Sequence, residues 1–268
     1  MERFTALNIP PRDTECQEED ADGISATWIW RRGTVRHHVV LYLHGGGYIS
    51  GSVRTHRTLA AHIARAADSH LLVIDYRLAP EHPFPAAVED AVRAYRWLLG
   101  QGFSPQRLAV VGDSAGGGLA IAAMLALRES GDRLPAAGVC LSPWFDLALT
   151  GRTMETKEGA DPMLHRPDLA FMAHHYLGST DPRTPMASPL YGDLTGLPPI
   201  LIQVGTDEVL LDDARTFAER ACAMGVSIEL DIWDDMFHVW QFSAGFVPEA
   251  ARAVEKIGRF LRSRWNSE

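Results

Sequence analysis

Cysteine is scarce in this chain of 268 residues, and its three cysteines are too few and too scattered to cross-link a fold. Cys16, Cys140 and Cys222 show neither a disulfide framework nor the spacing of metal ligands. Cys140 lies in an apolar run, where a small core residue is expected rather than a reactive thiol. The fold must therefore be held by its hydrophobic core.

Long apolar runs and an excess of positive charge are also missing. The N-terminus, MERFTALNIPPRDTE, lacks the apolar region of a signal peptide, and no run could span a bilayer, so we expect a cytoplasmic protein with no membrane partner. The net charge of −9 argues against nucleic acid as a partner. A hydrophobic content of 46% is that of a globular protein, long enough for one large domain, although two small domains are possible.

Apolar runs and helical patterns alternate from about residue 39 to the C-terminus. The predicted strands are 24–31, 39–43, 71–76, 108–111, 136–141, 199–204 and 226–233, and the predicted helices are 55–67, 85–99, 115–127, 209–224 and 247–265. Such alternation predicts an α/β fold over residues 1–268, with helices on both faces of a mostly parallel central sheet and one or two antiparallel strands before it.

Two segments break this alternation. Residues 1–22 are polar and acidic, which predicts a solvated, partly mobile tail. Residues 145–198 are rich in Thr, Gly, Pro and Asp, with one helical segment near 168–177. Because loops of this length are usually functional, we predict a lid or pocket wall inserted between two strands.

The segment GDSAG at residues 112–116 lies between a predicted strand and a predicted helix. G-x-S-x-G in this setting is typical of a nucleophile elbow, a sharp turn that exposes the hydroxyl of Ser114 beside the N–H groups of a helix N-terminus. A glycine-rich turn capped by serine is the simpler interpretation. A nucleotide-binding loop is disfavoured because no G-K-[ST] follows.

A serine nucleophile needs a base and an acid that orients the base. His238 follows the last predicted strand, and Asp207 follows strand 199–204, so the chain order is Ser, Asp, His, as in α/β-hydrolases. In isolation, His238 would be a surface-loop histidine. Glu208 is expected to cap the next helix or face solvent. Roles in turns or on helix surfaces are expected for His37, His38, His56, His62 and His70, and structural or pocket-lining roles for His165, His174 and His175.

An oxyanion needs two or three N–H groups. Ala115 supplies one, and three glycines in residues 44–47, directly after a buried strand, can supply others. His44 is expected to brace this loop rather than to transfer protons. The candidates for substrate contact lie beside these motifs: Tyr48, Asp113, Trp144, Val209 and Val239.

Taken together, these motifs resemble the hormone-sensitive-lipase-like (bacterial HSL, GDSAG-type) carboxylesterases of the α/β-hydrolase superfamily. The matching stretches are HGGG at 44–47, DYRLAPE at 75–81, GDSAGG at 112–117, Asp207 and His238. The resemblance implies that Gly46 and Gly47 donate with Ala115 to the oxyanion, and that 75–81 is a buried polar support. SPWFDL at 142–147, with Asp161-Pro162, is similar to members that hydrolyse acetyl esters or ε-lactones.

Members of that family usually carry a helical cap of several tens of residues before the sheet. Residues 1–22 would then be a reduced cap, so that 145–198 must cover most of the site. This reasoning predicts short to medium acyl chains.

The sequence thus predicts a serine hydrolase of carboxylic esters that works through an acyl-enzyme, as a monomer or homodimer, on small-molecule esters and without a metal or organic cofactor. One alternative keeps the triad but cleaves a lactone, an aryl formamide or a small amide. Another is a non-catalytic small-molecule receptor on a hydrolase fold, against which the presence of His238 argues.

Overall fold

Eight strands form one sheet in the computed structural model, which describes residues 9–265. The strands are β1 (Thr14–Asp20), β2 (Ser25–Arg31), β3 (Val39–Leu43), β4 (His70–Ile74), β5 (Leu108–Asp113), β6 (Ala137–Leu141), β7 (Ile200–Gly205) and β8 (Ile228–Trp233). Their order is β1-β2-β4-β3-β5-β6-β7-β8. The pairs β1–β2 and β2–β4 are antiparallel, and all other neighbours are parallel, which confirms the predicted fold class.

Helices cover both faces of this sheet. They are α1 (Val53–Ala67), α2 (Ala86–Gly100), α3 (Ala115–Glu129), α4 (Thr153–Thr156), α5 (Arg166–Leu177), α6 (Leu211–Ala223) and α7 (Pro248–Trp265). Short 3₁₀ turns lie at Pro105–Arg107, Pro189–Tyr191 and Trp240–Ser243. No helix within residues 9–265 is both long and apolar enough to cross a membrane.

Strand β3 shows why the central strands have unbroken apolar sequences. Leu41 packs with α2 and α3 on one face of the sheet, whereas Val40 and Tyr42 pack with α1 and α7 on the other. All five residues of β3 are buried. Because both faces are covered, every position of such a strand is apolar, and its bounds could be predicted from the sequence.

The N-terminal segment corrects one prediction. Thr14–Asp20 form edge strand β1, paired in register with β2 from Thr14 opposite Arg31 to Asp20 opposite Ser25, and are not a solvated tail. The acidic side chains hid this strand because an exposed sheet edge tolerates charge. The strand lies at the edge of the sheet remote from β5 and β8. The part of the cap prediction that falls on residues 1–8 lies outside the described residues.

The insertion at 145–198 lies between β6 and β7 and contains α4, α5 and one 3₁₀ turn. Helix α5 includes the predicted helical segment and packs against the loop after β3. The rings of Tyr176 and Tyr48 stack with centroids 3.8 Å apart, and the N–H of Phe84 donates to the carbonyl of Tyr176 at 2.8 Å. The insertion therefore lies over the carboxyl edge of the sheet; its role as a lid stays a prediction.

Candidate active site

Ser114 occupies the turn between β5 and α3 with φ 53° and ψ −123°. This conformation is strained for a residue other than glycine, and such strain clusters at functional sites. The neighbouring glycines permit it, since a Cβ on Gly112 would lie 2.1 Å from the carbonyl oxygen of Gly116. The N–H of Ser114 donates to Leu141 at 2.8 Å, which ties the turn to β6. The predicted strand–turn–helix setting is therefore present.

His238 lies after β8 and is only 5% exposed. Its Nδ1 is 3.1 Å from Oε2 of Glu208, a carboxylate with no exposed surface. The other oxygen, Oε1, accepts hydrogen bonds from the N–H of Gly205 at 2.6 Å and from Oγ of Ser142 at 2.7 Å. These donors hold the carboxylate in one orientation against the imidazole.

The prediction that Asp207 orients His238 is wrong. The Asp207 side chain is 36% exposed, and its nearest ionic partner is Nζ of Lys157, at 3.8 Å. The N–H of Asp207 donates to the carbonyl of Met236, which fixes the turn after β7. Helix α6 begins only at Leu211, so Glu208 lies in this turn and its side chain points inward. Asp207 and Glu208 are adjacent in the sequence, which does not reveal that the turn after β7 directs the first toward solvent and the second inward.

The glycine loop after β3 offers backbone donors to the same edge of the sheet. Gly46 and Gly47 have φ of 120° and 63°, in the region that favours glycine. The N–H of Gly45 is used internally, since it donates to Oδ1 of Asp113 at 3.1 Å. Within residues 9–265, the N–H groups of Gly46, Gly47 and Ala115 have no hydrogen-bond acceptor. They are available to a bound anion.

His44 braces this loop, in agreement with its predicted role. Its Nδ1 lies 2.8 Å from the carbonyl oxygen of Gly45, and its ring stacks on Tyr76 at 4.2 Å. The hydroxyl of Tyr76 donates to the carbonyl of His44 at 2.7 Å. Burial, with the neighbouring His56, lowers the pKa of His44 to about 3. A neutral, enclosed ring of this kind supports the loop and carries no charge at neutral pH.

The prediction that Asp113 contacts substrate is also wrong. Its Oδ1 accepts from the hydroxyl of Tyr42 at 2.6 Å and from Gly45, and its Oδ2 lies 3.2 Å from Nε2 of His56. Burial opposes the charge, but His56 and these hydrogen bonds outweigh it and lower the pKa of Asp113. His56 is fully buried, and His70 is 4% exposed within β4, so neither is the surface histidine that was predicted.

The other candidates for substrate contact are packed inside the molecule. Exposures of 0–3% are found for Tyr48, Trp144, Val209 and Val239. Tyr48 stacks on Tyr176, and the N–H of Val209 donates to Asp161 at 3.0 Å. These four residues therefore have packing roles. Residues that follow a strand end can lie beneath the loops rather than in a pocket.

The loops at the carboxyl edge of the sheet carry a strained serine, an imidazole paired with a buried carboxylate, and unused N–H donors. These are the groups that nucleophilic acyl transfer requires. In the described part of the chain, no group of three His, Cys, Asp or Glu side chains could hold a metal ion. The sequence alone indicated no role for Ser142, which contacts Glu208. Its position directly after β6 is equivalent to that of Ser114 after β5.

Known proteins are similar to this chain over nearly its whole length. A family model described as the α/β-hydrolase fold matches residues 40–242. A protein of Streptomyces hygroscopicus named acetyl-hydrolase is 48% identical over 263 residues, which cover 98% of this chain and 86% of the relative. The crystal structure of an esterase from the bacterial hormone-sensitive lipase family is 51% identical, with a TM-score of 0.97 over 99% of this chain and 89% of that one. The crystal structure of EstE5 soaked with p-nitrophenyl butyrate is 44% identical, with a TM-score of 0.96 over 99% and 90%.

Proposed function

We propose that this chain, which belongs to the hormone-sensitive-lipase-like carboxylesterases of the α/β-hydrolase fold and hydrolyses carboxylic esters, does so with Ser114 as nucleophile, His238 as base and Glu208 as orienting acid. The observation that carries this assignment is the buried contact of 3.1 Å between His238 and Glu208, at the edge of the sheet where Ser114 stands. Neither His238 nor Glu208 supports the elbow or the glycine loop, so their contact is not explained by a structural role in those elements.

The first half of the reaction acylates the enzyme. Nε2 of His238 takes the proton of the Ser114 hydroxyl while Oγ attacks the ester carbonyl. The Nδ1 proton is assigned to the hydrogen bond with Glu208, whose negative charge stabilises the imidazolium that forms. The imidazolium then gives its proton to the leaving alkoxide, and the alcohol departs. In the second half, water replaces the alcohol, and its attack on the acyl-enzyme releases the acid.

The tetrahedral intermediate needs donors where its negative oxygen develops. We assign this role to the N–H groups of Gly46, Gly47 and Ala115, which lack internal acceptors among the described residues. Because Asp113 holds Gly45 in place, the two glycines that follow it are oriented before substrate arrives. Removing one such donor typically lowers kcat by about 10²- to 10³-fold.

We further propose a preference for acyl chains of short to medium length. Met172, on α5, lies directly against the oxyanion loop: a Cβ on Gly47 would be 2.1 Å from its Sδ. Since Gly47 is assigned to the oxyanion, this thioether would lie beside the bound ester, and we propose that it limits the room for a longer acyl chain. The relative named acetyl-hydrolase supports the same preference.

Trapping the acyl-enzyme tests the proposal. After rapid acid quench of a p-nitrophenyl acetate reaction, intact-mass and peptide analysis should find one acetyl group, on Ser114. Ser114→Ala should show no adduct and a kcat lower by roughly 10³- to 10⁶-fold with its fold retained. An adduct on another residue would contradict the assignment. Binding without turnover in the unaltered protein would favour the receptor alternative. A parallel measurement of kcat/KM for lactones would show whether linear or cyclic esters are preferred.

A further inference from the structure

Ser142 is a buried polar residue to which the proposed mechanism gives no role. It directly follows β6, has no exposed surface and adopts φ 45°. Its N–H donates to the carbonyl of Gln203 at 2.7 Å, so its backbone is fixed to β7. Residues other than glycine adopt this region infrequently, and such strain clusters at functional sites.

The side chain of Ser142 joins two parts of the proposed proton relay. Its Oγ donates to Oε1 of Glu208 at 2.7 Å and accepts from the N–H of Val239 at 3.0 Å. Val239 is the residue after His238. A single hydroxyl therefore connects the acid to the loop that carries the base, and both of its hydrogen bonds lie in the interior.

Val239 has a conformation that needs such support. Its φ of 49° is unfavourable for a β-branched residue. The Ser142 hydroxyl satisfies the N–H of Val239 in this conformation, while the Val239 side chain packs into the core with α1 and α7. Without the hydroxyl, the loop can relax and carry His238 away from Glu208.

We propose that Ser142 is a positioning residue, which keeps the Glu208 carboxylate and the His238 ring in the geometry that proton transfer needs. This inference rests on the proposed function. If the hydroxyl were removed, the acid would keep only Gly205 and His238 as partners within residues 9–265, and the base would lose the anchor of its loop. A displacement of about 1 Å in such a site can lower the rate about 10²-fold.

Two variants test the proposal. Ser142→Ala should lower kcat for p-nitrophenyl acetate by about 10- to 100-fold, with KM changed by less than about threefold. Ser142→Gly removes the same hydroxyl but adopts a left-handed φ without strain, so it decides the matter if the alanine variant does not fold. Normal kcat in either folded variant would overturn the proposal.

Ser188 provides a matched control. It is equally buried, and its Oγ also bridges two partners: it donates to the carbonyl of Pro182 at 2.6 Å and accepts from the N–H of Leu147 at 2.8 Å. Ser188→Ala should lose stability as Ser142→Ala does, since each leaves a buried partner unsatisfied, but should keep its kcat. Equal loss of kcat in both variants would mean that Ser142 is only structural.

Proton NMR separates positioning from general stability. The Nδ1 proton of His238, hydrogen-bonded to a buried carboxylate, should give a far-downfield signal that is absent in His238→Gln. We expect this signal to shift or broaden in Ser142→Ala and to be unchanged in Ser188→Ala; an unchanged signal in Ser142→Ala would overturn the proposal. If His238→Gln stayed active, the proposed function itself would fail, whereas an inactive His238→Gln beside a fully active Ser142→Ala would refute only the role of Ser142.

Discussion

Two buried carboxylate–imidazole pairs lie near the carboxyl edge of the sheet, and only one has a free ring nitrogen. In the pair Asp113–His56 the closest atoms are 3.2 Å apart, and in Glu208–His238 they are 3.1 Å apart. His56 uses both nitrogens, because its Nδ1 lies 2.8 Å from Oγ1 of Thr55. Among residues 9–265, Nε2 of His238 has no partner. Distance and burial alone would not distinguish these pairs; the unused nitrogen does.

One of these pairs supports the glycine loop, and the other is placed to transfer a proton. Asp113 precedes the proposed nucleophile, yet its oxygens fix Tyr42, Gly45 and His56, and so hold the glycine loop. Glu208 accepts backbone and hydroxyl donors on one oxygen and leaves the other for an imidazole that can still accept a proton. In Glu208–His238 the acid is therefore fixed by other donors, while the imidazole keeps one nitrogen with which it can accept a proton.

The largest expected effect contrasts the two histidines. His238→Ala should lower kcat by roughly 10³- to 10⁶-fold in protein that still folds, and it should also lose stability, because buried Glu208 loses its imidazole partner. His56→Ala should leave the buried charge of Asp113 unpaired and lower the free energy of unfolding by about 3–5 kcal/mol. Its kcat, measured on folded protein at low temperature, should stay within about tenfold of the original, because the glycine loop keeps its other contacts.

Steady-state kinetics and urea unfolding of both variants check this contrast. A kcat that falls equally in His56→Ala and His238→Ala would show that the two pairs act as one unit, and the distinction drawn from the free nitrogen would be lost.

A smaller effect concerns acid stability, to which the enclosed histidines contribute. Burial, with nearby charge, lowers the pKa of His44 to about 3 and that of His70 to about 4. The unfolded chain takes up these protons near pH 6.5, whereas the folded chain does not, so unfolding binds protons and stability falls as the pH drops below about 6.5. For His44 the loss at pH 5 is about 2 kcal/mol.

Urea unfolding at pH 7 and pH 5 measures this loss. His70→Phe should reduce the decline, because a phenyl ring keeps the stacking on Trp30, at 5.1 Å, without titrating. Equal stability at the two pH values would contradict the pKa directions of both enclosed histidines.

The smallest expected effect is at Met172, which belongs to neither pair. Met172→Ala should raise kcat/KM for p-nitrophenyl octanoate relative to the acetate by about 4- to 15-fold, since a chain that enters the freed space buries one or two more CH₂ groups at about 0.8 kcal/mol each. The matched control is Phe171→Ala on the same helix, because Phe171 is 56% exposed. An unchanged chain-length profile in Met172→Ala would remove Met172 from the pocket wall.

Much of the fold could be predicted because its signals are local. Strand β3 has the bounds that its unbroken apolar run predicts, and the elbow at Ser114 follows from glycine spacing. The burial of His56 also had a signal that was missed, since it precedes Leu59 by three residues and Ile63 by seven and so shares their helix face. Edge strand β1 was hidden by its charges.

The choice between Asp207 and Glu208 could not be made from the sequence. It depends on where α6 begins and on the hydrogen bond from Ser142, a residue 66 positions away in the chain. Such contacts join loops that come together only in the folded sheet. Secondary-structure propensity and residue spacing do not predict them.

The rate of Ser114 acylation in two isosteric variants tests whether Glu208, rather than Asp207, orients His238. In Glu208→Gln the burst of p-nitrophenol from p-nitrophenyl acetate should slow by about 10²- to 10⁴-fold, because an amide cannot stabilise the imidazolium as the carboxylate does. In Asp207→Asn, which alters a partly exposed carboxylate paired only with Lys157 among the described residues, the burst should stay within about twofold. A normal burst in Glu208→Gln together with a slow one in Asp207→Asn would contradict the account and restore Asp207 as the acid.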